Sequence, residues 1–522
     1  MPRYKPADYA QGQLIAIQFE RQILPGSFEY TLNYVVDNKL DFTALDDRRT
    51  NDDGGAPAYD PRVMLKIVLY AYSRGIISSR EIATACQENV VMMALSANSR
   101  PHFTTIAQFV RELGDATLIL FANVLMYCNE LGLIGKEMFA IDGCKISSNA
   151  SKEWSGTRED FEKRKAKFKE GIERLVRRHR ELDQGGKDED DSTPGRRKRE
   201  EKAIERLEAK VSKIEEWLRE NPEDRKGTTG NPVKSSMTDS DSAKMVSSHG
   251  VIQGYNGLAA VDAKRQVIVA AEAFGKGNDA ELLEPMVQQV KDAFQALGEE
   301  DIYRKAKVVA DTGFHTEGSV KMLFERQIDA YVPDKNFRKR NPAFTTAERH
   351  RSYKALSGRT GHGKRYFGAD DFTFNPANGK LVCPAGKELY LKDRNFKTAK
   401  GYHGINYMAK KTDCRACALR AQCLRKPGTP ARQVHKPDRL GHPQAQESFT
   451  SKMIKKIDSE AGRFLYSLRM EIVEPVFANV RCMLGLDRFT LRGSPKVNVQ
   501  WRLYAVVHNI HKIGRYGWAG AG

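Results

Sequence analysis

Three acids stand in company that suggests chemistry. Asp142 closes the apolar run Met138-Phe-Ala-Ile and is followed by Gly143, and Asp311 closes Lys307-Val-Val-Ala and is followed by Thr-Gly-Phe-His315. A short apolar run that stops at Asp, with Gly one or two residues on, reads as a buried strand whose carboxyl end meets a turn. In open α/β sheets ligands gather beyond those ends. The third acid, Glu474, lies in Tyr466-Ser-Leu-Arg469-Met-Glu-Ile-Val-Glu474-Pro-Val-Phe-Ala-Asn-Val-Arg481. There positions 466, 469, 473, 477, 480 and 484 recur at three- and four-residue steps, as on a helix. Ile472, Val473 and Val476 surround Glu474, with Arg469 and Arg481 on either side. An acid in apolar surroundings pairs with a cation or binds a metal. A salt bridge to an arginine on an ordinary helix is the plainer alternative. Three converging carboxylates would repel one another unless divalent cations lay between them. Hard oxygen donors favour Mg²⁺ or Mn²⁺, and two such ions about 3.5–4 Å apart stabilise the attacking and leaving oxygens at a phosphate. Phosphoryl transfer is the chemistry this triple suits.

The elements that must position the acids follow from patterning. Two β-rich runs, 251–261 and 266–271, are joined by the turn-forming Asp262-Ala-Lys. A helix over 279–297 leads to the Asp311 strand, and a helix over 317–327 leads to a short strand over 329–332. Residues 1–130 read as helical. The stretch 61–74 begins with Pro in its first turn, and Ser78-Ser-Arg-Glu81 and Thr105-Ile-Ala-Gln108 are capping-box patterns. Short helices with tight connections suit a helix-turn-helix-like module or a plain bundle. Residues 152–226 hold 23 Lys/Arg and 21 Asp/Glu, so this is no basic tract. Phe161, Phe168, Ile172, Leu175 and Leu182, then Ile204, Leu207, Val211, Ile214 and Leu218, follow heptad-like steps. With the breaker 185–195 between them, they predict two antiparallel helices, either a solvated insert or an arm for DNA or a partner.

At this point the chain resembles the bacterial insertion-sequence transposases of the DDE type, in the branch with a Tyr-Arg-Glu-Lys signature. Tyr466, Arg469 and Glu474 match that signature, Arg481 stands where the family usually has Lys, and the Arg-to-Glu spacing is one residue longer. Glu471 competes for the third acid, and the Ile-Val-Glu-Pro-Val-Phe context favours Glu474. The resemblance extends over Asp142-Gly143 to Asn149-Ala-Ser151, Thr238-Asp239-Ser-Asp241, Gly254-Tyr-Asn256 and Asn278-Asp279. It continues through Ala310 to His315, Tyr331-Val-Pro333-Asp334 and 485–493. It implies an RNase H-like mixed α/β sheet with helices, in parts: an all-α N-terminal DNA-binding and dimerisation domain (1–130), the first catalytic segment (131–333, with the charged helical hairpin 152–226), a basic Cys-containing insertion (334–450), and a C-terminal catalytic segment (451–522). Asp142, Asp311 and Glu474 would hold two Mg²⁺ or Mn²⁺ ions. Tyr466, Arg469 and Arg481 would lie near the DNA backbone, where arginine suits bidentate phosphate contact. Asp239, Asp241 and Asp279 are either auxiliary carboxylates or polar turn residues. The implied partners are double-stranded DNA, as terminal inverted repeats and as target, and a second copy of the chain in a homodimeric synaptic complex.

Composition agrees with such partners. The 522 residues carry a net charge of +18, which points to a polyanion. From Lys335 to Tyr366 there are ten Lys/Arg and one acid, interleaved with Phe337, Phe344, Tyr353 and Tyr366. Basic side chains neutralise phosphates and aromatics stack on splayed bases, although a solvated loop has the same composition. No apolar leader follows Met1, and the longest apolar stretch, 116–128, falls short of the roughly 18 residues a membrane span needs. A cytoplasmic, nucleoid-associated protein is expected, with no membrane partner. No Walker loop or Rossmann fingerprint is present. Of eight cysteines, Cys86, Cys128, Cys144 and Cys482 are scattered. Cys383, Cys414, Cys417 and Cys423 cluster as a structural Zn²⁺ site would, or as free thiols in a loop-rich insert.

Overall fold

The computed structural model describes residues 16–48, 57–183, 194–227, 230–247, 250–344, 366–397, 403–426, 428–437 and 448–517. They form a mixed α/β protein that divides into two compact units, one of residues 1–335 with 453–522 and one of 336–452.

The apolar run before Asp142 opens β1 (Met138–Ser147), the centre of the main sheet. On one side it pairs antiparallel with β3 (Gly250–Asp262), which carries β2 (Ala243–Ser247) and then β4 (Ile268–Phe274) along its far edge. On the other side it pairs parallel with β5 (Lys307–Ala310), and β5 with β6 (Ala330–Tyr331). Phe139, Ala140, Ile141, Leu258, Ala259, Ala260, Val261, Val308 and Val309 are all fully buried. A strand covered on both faces reads as a continuous apolar run rather than an alternating one. The parallel crossover passes through the helix Leu283–Ala296, whose Met286, Val287, Val290 and Phe294 face the core. Asp142 is not at the end of β1. The antiparallel partner β3 carries the strand five residues further, and only the shorter β5 stops level with Ile141.

Helix α1 (Ser494–Tyr516) closes the unit. It is buried over most of its length and packs on β4 and on the helices Phe28–Asn38, Pro61–Ser73 and Ala116–Glu130. Its Asn498 and Asn509 each hydrogen-bond both the N–H and the C=O of one β4 residue, Ala273 and Ile268. The free edge of β4 is thereby satisfied by side chains three helical turns apart. The N-terminal helices thus share a unit with the sheet. Pro61 occupies the first turn as expected, with Asp60 accepting from Arg62 N. Ser78 precedes the helix Ser79–Glu88 but its side chain makes no cap, and the next expected start is displaced. The helix Phe103–Glu112 begins two residues before Thr105, its cap supplied by His102.

The charged insertion forms the helices Arg158–Asp183 and Pro194–Glu220. Ion pairs Lys169–Glu215 and Arg178–Glu200 run in opposite senses along them, so the pair is antiparallel. Phe161, Ile214, Trp217 and Leu218 form a buried knot at its base, and most of the expected breaker lies outside the described residues. The second unit contains a five-stranded antiparallel sheet of β7 (Thr373–Asn375), β8 (Lys380–Val382), β9 (Glu388–Lys397), β10 (His403–Ala409) and β11 (Gln433–Pro437). Most of the basic tract 335–366, including Tyr353, lies outside the described residues.

Candidate active site

Because β1 and β5 run parallel with Ile141 opposite Ala310, the next residue of each strand is an acid on the same rim. Asp142 and Asp311 are therefore neighbours. Helix α2 (Glu460–Ala478), which precedes α1 in the chain, crosses above them and brings two side chains down. Arg469 donates through Nη1 to Asp142 and has Nη2 3.7 Å from Asp311 Oδ1. Tyr466 donates its hydroxyl to Asp311 Oδ1 at 3.2 Å. The resemblance implied a place near the DNA backbone for Arg469; in the fold its guanidinium spans the two acids.

A fourth acid flanks them. Asp279 accepts from Asn256 Nδ2 at 2.5 Å. A Cβ on Gly313 would meet Asp279 Oδ2 at 2.7 Å, and one on Gly143 would meet Asn256 Oδ1 at 2.8 Å. Glycine next to each rim acid is what allows the Asn256–Asp279 pair to approach. The reason these two glycines matter is invisible locally, since their neighbours come from other strands and turns.

The charges balance narrowly. Burial pushes Asp142 up to about 6, against the pull of Arg469 and of the Gly143 N–H, with Asp311 and Asp279 pushing the same way as burial. Burial works against the Arg469 charge, but Asp142, Tyr466 and Asp311 outweigh it and hold the guanidinium above its ordinary value. Tyr466 is raised by burial and then by Asp311.

Glu474 lies on α2, five residues beyond Arg469, about 7.5 Å further along the axis. It is exposed, so the burial argument made for it from sequence fails: Ile472, Val473 and Val476 turn inward and the acid does not. Among the described residues no group of three or more His, Cys, Asp or Glu encloses an ion-sized point.

The far end of α2 is held firmly. Pro475 has no N–H for the carbonyl of Glu471, and Gln266 Nε2 donates to that carbonyl at 2.9 Å instead. The Gln266 carbonyl accepts from His508 Nε2, which leaves His508 Nδ1 to accept from Asn479 Nδ2. Burial pushes His508 down to about 3, so the ring is neutral and this arrangement is fixed. Asn479 opens a π-turn, Asn479–Met483, that carries Arg481. Arg481 lies close enough to Cys144 to oppose the burial that pushes that thiol up to about 12. The next stretch is stitched to the end of β1: Phe489 N donates to Ser147 O, Arg488 Nε to Ser148 O and Arg492 Nε to Asn149 O.

Asp239 and Asp241 are elsewhere. Buried Asp239 accepts from Tyr255 hydroxyl at 2.7 Å and Gly493 N at 3.1 Å, and Asp241 from Ser494 N at 2.7 Å. Both therefore cap the N-terminus of α1. The four clustered cysteines form no disulfide and line one small cavity in the second unit.

Two family models match the chain. One, a transposase DDE domain, covers residues 382–514, a span that contains the four cysteines, Tyr466, Arg469, Glu474 and Arg481. The other, a transposase domain (DUF772), covers residues 17–112, the N-terminal helices. Together these two matches, over separate parts of the chain, support an insertion-sequence transposase of the DDE type. No curated protein matches the chain. No described helix is long and apolar enough to cross a membrane.

Proposed function

We propose that the protein cuts DNA at the ends of its element and joins the freed 3′-OH to target DNA, using Asp142, Asp311 and Glu474 with divalent cations. The observation that carries this is the meeting of Asp142 and Asp311, 169 residues apart, under Arg469 and Tyr466 of the helix that bears Glu474. The strand order, with β1 antiparallel to β3 and parallel to β5, is what an RNase H-like reading requires and so supports it.

The rim suits a cation. Two carboxylates share one guanidinium there, and their hard oxygens fit Mg²⁺ or Mn²⁺ better than softer metals. Asp142 and Asp311 would hold the ions, with Glu474 completing the set from α2. When bound, the ions activate the attacking water or 3′-OH and neutralise the leaving oxygen. Asp142 must be ionised to serve, and Arg469 keeps it so in spite of burial. Tyr466 and Asn256 fix Asp311 and Asp279, so the rim is preorganised. Arg469, shared between acids, and Arg481 on its π-turn then serve the DNA phosphates. No covalent intermediate on the protein is required. Terminal repeats and target are the proposed DNA partners, with two copies of the chain holding two ends. The residues 1–130, 131–333, 334–450 and 451–522 are the proposed functional segments.

The test is linear DNA carrying the element's own ends, incubated with the protein and Mg²⁺. Nicks at the ends followed by 3′-OH joining are expected, and Asp311→Asn should abolish both while leaving end binding largely intact. Cleavage without joining would instead mark a nuclease, and tight end binding without cleavage in Mg²⁺ or Mn²⁺ a silent DNA-binding protein.

A further inference from the structure

The second unit has little to hold it. Its described core is six buried residues, Phe372, Leu381, Leu389, Tyr407, Ala409 and Val434. A core this small supplies little stabilisation, and small folds add a disulfide or a metal to compensate. Beside this core lies a cavity of about 30 Å³, lined by Cys383, Cys414, Cys417 and Cys423. That is room for roughly one water-sized sphere. The thiols come from three places: the turn after β8, the short helix Lys411–Arg415 with the residues after it, and the end of the short helix Arg420–Cys423.

The surroundings are arranged for thiolate sulfur. Cys383 N donates to Lys387 O at 2.8 Å and Gly386 N to Cys383 O at 2.8 Å, closing a tight turn with Gly386 at φ +74°. That turn aims the Lys387 N–H back at Cys383 Sγ, 3.3 Å away. Arg432 braces the backbone through Nη1 to Cys423 O at 3.0 Å and Nη2 to Phe367 O at 2.8 Å. Arg432 also lines the cavity, and its Nε is a buried donor with no partner among the described residues. A buried donor left unpaired is costly unless something accepts from it. Four thiolates around Zn²⁺ carry a net double negative charge, which Arg432 and Lys387 are placed to offset. Arg420, donating to Cys414 O at 2.9 Å, adds to this.

We infer that Cys383, Cys414, Cys417 and Cys423 bind one structural Zn²⁺ that completes the core of the second unit. As placed, the sulfurs ring the cavity and do not yet meet at a common point. A zinc–sulfur distance near 2.3 Å requires them to converge to about 4 Å of one another. Each thiol gives its proton to solvent on binding, so the site tightens as pH rises. This inference is independent of the DNA chemistry, and its test does not use activity.

The test is metal analysis of the full-length protein purified in reductant. About one zinc per chain is expected, released by a thiol-modifying reagent. Cys414→Ser and Cys423→Ser should fall below a tenth of an equivalent, while Cys482→Ser, exposed and outside the cluster, stays at one. A Cys→Ser chain that fails to fold would be uninformative alone. The wild-type protein loaded with Co²⁺ is therefore measured too, and should show intense thiolate-to-cobalt absorption. Zinc-free folded protein whose four thiols react freely, a disulfide among them by mass spectrometry, or cobalt spectra without sulfur character would each overturn the inference.

Discussion

Two pairs of aspartates in this molecule have opposite surroundings. Asp239 and Asp241 receive their hydrogen bonds from the backbone N–H groups that open α1, with Tyr255 hydroxyl in addition. Asp142 and Asp311 share a single guanidinium, with Tyr466 on one and the Gly143 N–H on the other. The first pair is satisfied mainly by groups that cannot leave without unfolding the helix. The second is balanced by one side-chain cation. An acid held by fixed dipoles stabilises the fold, as anions do at helix N-termini, whereas an acid paired with a side-chain cation can exchange that partner for another ligand.

Exchanging the damage between the pairs gives the sharpest test. Asp142→Asn should lower end cleavage by about a thousandfold or more, the scale of losing a group that stabilises the reacting phosphate. Asp239→Ala should leave cleavage within a few-fold at low temperature yet cost about 1–3 kcal/mol, because the Tyr255 hydroxyl and Gly493 N–H lose their acceptor. Single-turnover cleavage and urea unfolding of both variants measure this, and matching profiles in both assays would erase the distinction. The pH response is the next largest effect. Asp142 in the fold sits near 6, above its ordinary value of 3.8, so the native state holds the proton longer. Its contribution to stability is fully present below 3.8 and is lost as pH rises through 6, by at most about 3 kcal/mol. Cleavage should move the other way, rising through pH 6 as the carboxylate forms. Unfolding from pH 4 to 7, compared between wild type and Asp142→Asn, reads the first trend and a rate profile the second. Asp241→Ala, removing one exposed cap from α1, should cost only about 1 kcal/mol by thermal melting.

The rim acids were legible because the runs before them are apolar and short, and that pattern has few readings. What lay at a distance was not. Nothing near Asp142 shows that β3 outlasts β5, so the acid reads as a strand end when the strand continues. The duty of Asp239 and Asp241 depends on Gly493 and Ser494, more than 250 residues away. Glu474 misled through its neighbours. Three apolar residues beside it do face inward, but the acid itself is exposed, so its neighbours say nothing of its burial. The His102 cap escaped notice because histidine seldom takes that role, while the serine that fits the pattern at 78 makes no bond. Asp279 reads in sequence as either an auxiliary carboxylate or a polar turn residue, and only Asn256 and Gly313, distant in the chain, bring it to the rim.

The side chains of α1 that close the edge of β4 also fix when this protein can exist as such. Synthesis delivers Asp311 to the ribosome exit some 180 residues before Ser494, and in that interval β4 lacks the asparagines that satisfy its outer edge. A nascent chain therefore carries both rim acids on a sheet it cannot yet finish. A copy ending before α1 would lack the side chains that satisfy this edge, so the main sheet is complete only once α1 has been made.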